Sequence, residues 1–435
     1  MRALFCIVVA AGACVKGNPI DLTFTQNGGT YAVPGCGYSV TTLMGAEAPI
    51  PGTDVVGPDP TVRLVHLGVI GDPETSVVVQ WRTNDEATLA STIRWGQGAN
   101  LAPSDLDHTD NGIEFRFHGL GMAVYRQHQA HLCGLSPGTT YSYQVGGTDP
   151  TTGADHFSPV YTFHTAPDLT ANPDTTVVMG FVGDSRGGYD VWTQLVSLLI
   201  ARAPDVVLFS GDAVTEGITQ DEWDVGFLDN AQPLFATTVV IFANGNHEDN
   251  ALNYYSQFAL PGDQQNFGVD WGYAHVTVAN DTPADPNAIT GAFHDALAAD
   301  LAAHASARWK LVMHHQPMWS ASTKHGSSTV LQQAWQPVFD ANHVDLVLNG
   351  HDHDYEVTKP LIGTDVQTTS DNATVYVVAG GAGAELYPNG TQYWTQYSES
   401  TYSAAVIQVS RDMLELDAFR PDGTAIPTGF TKTKP

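Results

Sequence analysis

Basic residues are scarce in this chain. Its 435 residues include 17 Lys and Arg against 46 Asp and Glu, a formal net charge of −29. A nucleic-acid partner requires a basic surface, and none is evident. Charged residues make up only 14% of the chain, so the acidic excess reads as a solvated surface plus carboxylates gathered at a site. Cysteine is rarer still: Cys6, Cys14, Cys36 and Cys133 are all there are, and none falls among the ligand-bearing motifs of the C-terminal part. That leaves no zinc-thiolate centre. The apolar N-terminal run from Ala3 to Ala11 is too short to span a bilayer. There is no internal repeat and no low-complexity tract. Gly380-Gly381-Ala382-Gly383 follows an apolar strand but lacks the Lys-Ser or Lys-Thr of a P-loop.

The N-terminus itself carries Arg2, then the short apolar run, then Ala11-Gly12-Ala13 before Cys14. This reads as an export signal over 1–13, and the protein is expected to be secreted, periplasmic or lipid-anchored at Cys14. An apolar first strand is the plainer alternative. Residues 14–59 form an N-terminal segment and linker, rich in Gly, Pro, Thr and Ala. Within it, Asn27-Gly28-Gly29 and Thr30-Tyr31-Ala32-Val33 suggest a small hairpin. An oxidising compartment would permit a Cys36–Cys133 disulfide, and two buried thiols are equally consistent with the sequence.

Residues 60–167 are all β in character. Leu64 to Val69, Ser76 to Trp81, Ser91 to Trp95 and Thr140 to Val145 are β-rich or alternate at period two, with turn signals between them. The spacing predicts a fibronectin type III-like sandwich with Trp81 in its core. From 173 to 431 strands alternate with helix candidates at 191–203, 219–230, 292–305 and 329–341. That is the α/β pattern.

Five apolar runs in this second part end in metal-ligand residues. The exits are Gly183-Asp184-Ser185-Arg186, Gly211-Asp212-Ala213-Val214, Gly245-Asn246-His247-Glu248, Val312-Met313-His314-His315 and Gly350-His351-Asp352-His353. Buried strands that end this way collect their ligands along one rim of a sheet. Carboxylate, amide and imidazole together suit Fe, Mn or Zn better than Ca or Mg.

The ordered set resembles the calcineurin-like metallophosphoesterase superfamily, with the purple acid phosphatase branch as the best likeness. The resemblance implies an α/β/β/α sandwich behind the β domain and a dinuclear centre of two metal ions (Fe, Zn or Mn). It implies Asp212 as the bridge, Asn246, His315 and His351 on the second metal, and Asp184 and His353 on the first. His315 rather than His314 fits the motif, counted from Val312. His351 and His353, two apart, are expected on one face of an extended strand.

Two positions depart from the family. The His that most members carry two residues after the first Asp is Arg186 here. The Tyr that purple acid phosphatases carry three residues after the bridge is Thr215. Glu216, Asp190 or water could fill the gap. Arg186 can clamp a phosphate oxygen, with a plain salt bridge as the alternative. By resemblance His247 contacts phosphate or leaving group, and His325 is placed to protonate the leaving oxygen.

The implied activity is hydrolysis of a small phosphorylated substrate, most simply a phosphomonoester, by a metal-bound hydroxide. A phosphodiesterase or nucleotidase of the same superfamily, or a catalytically weak surface-binding protein, are the rivals. Without the Tyr, no purple colour is expected. His66, His118, His128, His131 and His164 match no motif and read as structural or surface residues.

Overall fold

The computed structural model describes residues 29–42, 59–84, 91–118, 124–149 and 151–435. The expected signal, Cys14 and most of the 14–59 segment lie outside them. No helix among the described residues is long and apolar enough to cross a membrane. Gly29–Ala32 pairs antiparallel with Ser39–Thr42, so the chain reverses across 33–38; the turn expected at Asn27-Gly28 lies outside the described residues. Gly35 and Gly37 supply the left-handed φ values of 81° and 72° that this reversal needs. Cys36, inside the turn, is disulfide-bonded to Cys133 across a sequence separation of 97. Closing a loop of that length stabilises the fold by about 4.7 kcal/mol on chain-entropy grounds.

The β part is a two-sheet sandwich. One sheet joins His108–Asn111, Thr92–Gln97, Thr140–Thr148 and Asp155–Phe157, with Tyr161–His164 also on Thr140–Thr148. The other joins Asp59–Gly68, Ser76–Asn84, Val124–Cys133 and Ile113–His118. Val77, Val79, Trp81, Ile93, Leu132, Tyr143 and Val145 fill the core, and Trp81 is fully buried. At the turn into Thr140–Thr148 the Tyr141 hydroxyl accepts the Ser136 N–H at 2.9 Å, a tyrosine corner. The sandwich histidines make structural contacts: His66 bonds the Leu64 carbonyl and, across the junction, that of Gln257, and His128 the Thr83 and Ser91 hydroxyls.

This sandwich is not set apart from the α/β part. Leu67 pairs in parallel with Val239, so the sheet holding Asp59–Gly68 continues across the boundary as one ten-stranded sheet. Arg82 and Asp224 form a buried bidentate ion pair across the junction, at 2.8 and 2.5 Å. The Tyr143 hydroxyl also donates to Ala236 O at 2.7 Å. A cut at Leu169 would bare the edge of Val239–Phe242 and strand Asp224 without its partner.

A seven-stranded sheet faces the ten-stranded one. Strand periodicity sorts its side chains. Leu311, Met313, Leu346, Leu348, Val375 and Val377 point into the inter-sheet core. The alternating Val312, Val347 and Tyr376 point outward, under Leu297, Leu301, Leu331 and Phe339 of the covering helices. Helices Tyr189–Arg202 and Asp229–Phe235 flank the first sheet; Ala292–Ala303, Thr329–Ala334 and Gln336–Asn342 flank the second. The 329–341 candidate is thus two short helices, broken just before Pro337, whose nitrogen cannot donate. The 219–230 candidate is a wide helix over Glu222–Leu228 that continues to Phe235.

Candidate metal centre

Strands Val177–Val182, Val206–Phe209 and Val239–Phe242 run parallel in one sheet, and Trp309–Met313 and Leu346–Asn349 run parallel in the other. All five exits therefore lie on one rim. The chain turns sharply there: Asp184, Asp212 and His351 have φ of 62°, 58° and 69°. This conformation costs about 1–2 kcal/mol for a residue with a Cβ. Three candidate ligands adopting it on one rim is strain gathered at a functional site. The neighbouring glycines permit the approach. A Cβ on Gly350 would lie 2.2 Å from Asp184 Oδ2, and one on Gly245 2.4 Å from Asp212 Oδ1.

Glu248 clamps these turns. It is fully buried and accepts N–H bonds from Asp212 (2.7 Å), Gly245 (2.8 Å) and Ala213 (2.9 Å). Burial, then the charge of Asp212, pushes its carboxyl up to about 7. The backbone N–H donors of Asp212 and Ala213 pull the other way, toward the ionised form.

Four donor atoms converge beside it. His315 Nδ1–H donates to Ser210 O at 2.8 Å, which turns Nε2 toward Asp212 Oδ1 (3.3 Å) and Asn246 Oδ1 (3.1 Å). His351 Nδ1 lies 2.9 Å from the same Asn246 oxygen and 3.3 Å from His315 Nε2. The ligand atoms of Asp212, His315 and His351 all fall within 4.8 Å of one another. Oxygen and nitrogen lone pairs aimed at one point fit a cation. On the other side of Asp212, His353 Nδ1–H donates to Glu385 O at 2.7 Å, and Nε2 faces Asp184 Oδ1 at 3.6 Å. Burial, then the charge of His315, holds His351 down to about 2; burial, joined by Arg186, holds His353 down to about 4. Both are neutral imidazoles, the form that ligates metal.

His351 and His353 do not sit on an extended strand as expected. They lie in a bend before strand Tyr355–Thr358, and the left-handed turn at His351 spreads them to opposite sides of Asp212. His314 points away: its Nδ1 is 2.9 Å from buried Asp281, and its ring packs edge-on to Trp335.

The other candidates also reach the rim. Arg186 Nε is 3.5 Å from Asp212 Oδ2, and its Nη2 is 3.4 Å from His353 Nε2. Its Nε is buried without a hydrogen-bond acceptor. His247 donates its backbone N–H to Asp212 Oδ1 at 2.9 Å and its ring Nδ1–H to Thr215 O at 2.6 Å, which leaves Nε2 3.9 Å from Asp212 Oδ2. His325 is exposed, its ring 4.5 Å from that of His351. Glu216 and Asp190 are exposed as well. The Gly380–Gly383 loop packs on the Asp184 turn, with Ala382 and Ala384 N–H bonded to Gly183 O and Asp184 O at 3.0 Å.

Sequence reasoning missed three residues. Tyr387 lies beyond the Gly-rich loop and stacks on His353 at 4.0 Å. Asp352, between the two histidines, accepts from Ser320 Oγ (2.6 Å) and Gly326 N (3.2 Å), which ties down the loop bearing His325. Asp281 orients His314. Only Asp352 had a signal, its place inside a ligand motif.

Comparison with known proteins matches both parts of the chain. Residues 62–165 match the purple acid phosphatase N-terminal domain, and residues 178–355 match the calcineurin-like phosphoesterase family. An uncharacterized Mycobacterium tuberculosis protein is 26% identical over 76% of this chain and 71% of its own length. Purple acid phosphatase 18 of Arabidopsis thaliana is 23% identical over 79% of this chain and 78% of its own. The purple acid phosphatase from yellow lupin (Lupinus luteus) seeds shares the fold, with a TM-score of 0.73 at 17% identity, over 86% of this chain and 74% of that one. Residues 178–355 are thus a calcineurin-like phosphoesterase domain behind a purple acid phosphatase-type N-terminal domain, and the chain is a purple acid phosphatase-like metallophosphoesterase.

Proposed function

We propose that this enzyme hydrolyses phosphomonoesters at the strand-end rim. The observation that carries the reading is the aim of the two Asp212 oxygens: Oδ1 toward His315, Oδ2 toward Arg186 and His247. A carboxylate presented to both sides in this way suits a bridge between two cations. Asn246, His315 and His351 would hold one cation, and Asp184 and His353 the other, with Fe, Zn or Mn all suited to these donors. When bound, the pair supplies Lewis acidity, which polarises the phosphoryl group and makes a water acidic.

The remaining roles belong to the chain's own side chains. Arg186, half-buried beside Asp212, presents a guanidinium that matches two phosphoryl oxygens. His247, its Nδ1 fixed on Thr215 O, offers Nε2 to the phosphoryl group. His325, exposed beside His351, gives a proton to the departing alkoxide. Buried His315 and Glu248 keep the turns rigid, so substrate is positioned rather than accommodated. Export fits the Cys36–Cys133 disulfide, which persists in an oxidising compartment.

The decisive experiment is Asp212→Ala with metal analysis and turnover of an aryl phosphate monoester beside its diester. Loss of bound metal and of monoester turnover is expected. Near-normal turnover with two metals retained would sink the bridge assignment, and faster diester turnover by the unaltered enzyme would sink the monoester reading.

A further inference from the structure

A second cluster of ligand-type residues lies at the opposite end of the seven-stranded sheet. Its edge hairpin pairs Asn266–Trp271 with Ala274–Ala279, and Asp270 stands directly across from His275. His275 opens a strand parallel to Trp309–Met313, whose far end delivers His315. The cluster is therefore on the entry rim, away from the catalytic exits. Helix Ala292–Ala303 packs on this hairpin and ends in His304.

Each imidazole is anchored through one nitrogen. His275 Nε2–H donates to Asp300 Oδ2 at 2.9 Å, which leaves Nδ1 facing Asp270 Oδ1 at 2.8 Å. His304 Nδ1–H donates to the Asp300 backbone oxygen at 2.8 Å, which leaves its Nε2 free. Each ring is thus fixed through one nitrogen by an oxygen of Asp300, the arrangement that orients metal-ligating histidines. Asp300 is itself fixed by the Thr277 hydroxyl at 2.6 Å. The rings stack at 3.6 Å, and ligand atoms of Asp270, His275 and His304 lie within 4.8 Å of one another. Gly268 leaves room for this: a Cβ there would meet Asp300 Oδ1 at 2.5 Å and His275 Cε1 at 2.6 Å. Asp72, Glu74 and Asp168 add negative potential nearby, since burial and then their mutual repulsion with Asp270 raise the Glu74 carboxyl.

We propose that Asp270, His275 and His304 form a separate site for a divalent transition cation of the zinc type, which clips the end of helix Ala292–Ala303 to the edge hairpin. Two imidazoles, one carboxylate and an open fourth position suit tetrahedral zinc and disfavour calcium or magnesium, which prefer oxygen alone. The ion takes the place of the proton on His275 Nδ1; exposed Asp270 swings outward to admit it, and the partly exposed His304 ring tilts out of the stack so that its lone pair converges on the ion. A site that exists only in the folded chain stabilises it by mass action.

The test uses the full-length, metal-stripped protein, dialysed to equilibrium against micromolar free zinc, with His304→Ala and Asp270→Asn alongside. The unaltered protein should hold one zinc per chain more than either variant, and its zinc-dependent rise in Tm should exceed theirs. Aryl phosphate turnover should be equal in all three. Asp270 is 65% exposed, so Asp270→Asn keeps the test interpretable if His304→Ala folds poorly. Equal zinc content and equal zinc-dependent Tm gains in all three proteins would overturn the proposal and leave the cluster an ion-paired clasp.

Discussion

Glu248 contacts no proposed substrate position, yet its removal should be among the most damaging single changes in the protein. Its two oxygens take three backbone N–H groups from the Asp212 and Gly245 turns, and no water reaches them. Each buried N–H left without an acceptor costs about 1–3 kcal/mol, so Glu248→Ala should destabilise the fold by about 3–9 kcal/mol. That is comparable with the whole stability of a typical domain, about 5–15 kcal/mol. Glu248→Gln is the graded control. Its amide oxygen can serve the Asp212 and Gly245 donors, while its NH₂ meets the Ala213 N–H, so about 1–3 kcal/mol should be lost. The assay is urea unfolding followed by tryptophan fluorescence, with metal content of the folded protein measured in parallel. Asp212 holds its left-handed φ of 58° under this clamp, so metal retention should fall in the order unaltered, Gln, Ala. If Glu248→Ala unfolds within about 1 kcal/mol of the unaltered protein, the clamp carries no such energy. The strain at the rim would then be held by something else.

His315→Ala should lose metal and activity together, while His314→Ala, which removes buried contacts to Asp281, Asn349 and Trp335 but none to the ligand set, should keep most bound metal; elemental analysis of both variants decides, and the reverse pattern would shift the ligand by one residue. His128 should make the fold acid-sensitive. Burial, then the charge of Arg126, holds it down to about 3 against about 6.5 in the unfolded chain, so stability present above 6.5 is lost as pH falls through 6.5 toward 3. From pH 7 to pH 5 the loss is about 2 kcal/mol. His128→Gln should be less pH-sensitive by that amount in urea melts, and an unchanged slope would refute it. Arg186→His restores the imidazole that most of the superfamily carries, and should raise metal affinity at the Asp184 side in equilibrium dialysis. Iron-loaded, oxidised protein should lack a strong visible band, because Thr215 has no phenolate; a band that disappears in Tyr387→Phe would show that Tyr387 reaches the iron.

The candidate metal rim is legible in the sequence because strand exits are local. An apolar run, a glycine and a ligand occupy adjacent positions, and each of the five exits can be read without knowing its neighbours. Everything set by pairing across long separations is silent. The edge-to-edge union of the sandwich with the α/β sheet rests on Leu67 meeting Val239, and nothing near either residue signals it. The Cys36–Cys133 bond depends on the reversal across 33–38, where Gly35 and Gly37 take left-handed conformations, and no sequence spacing sets the distance to Cys133. His275 and His304 read as isolated histidines until a helix end is laid on an edge hairpin. The first metal position is the most instructive case. Motif comparison shows only a loss there, Arg186 for His and Thr215 for Tyr. The fold sets other groups in that space: the Arg186 guanidinium lies between Asp212 and His353, and the Tyr387 ring covers the outer face of His353. A positive charge beside Asp212 Oδ2 competes with a cation for the same oxygen. The physical expectation is therefore unequal affinity, with the Asn246, His315 and His351 side filled first.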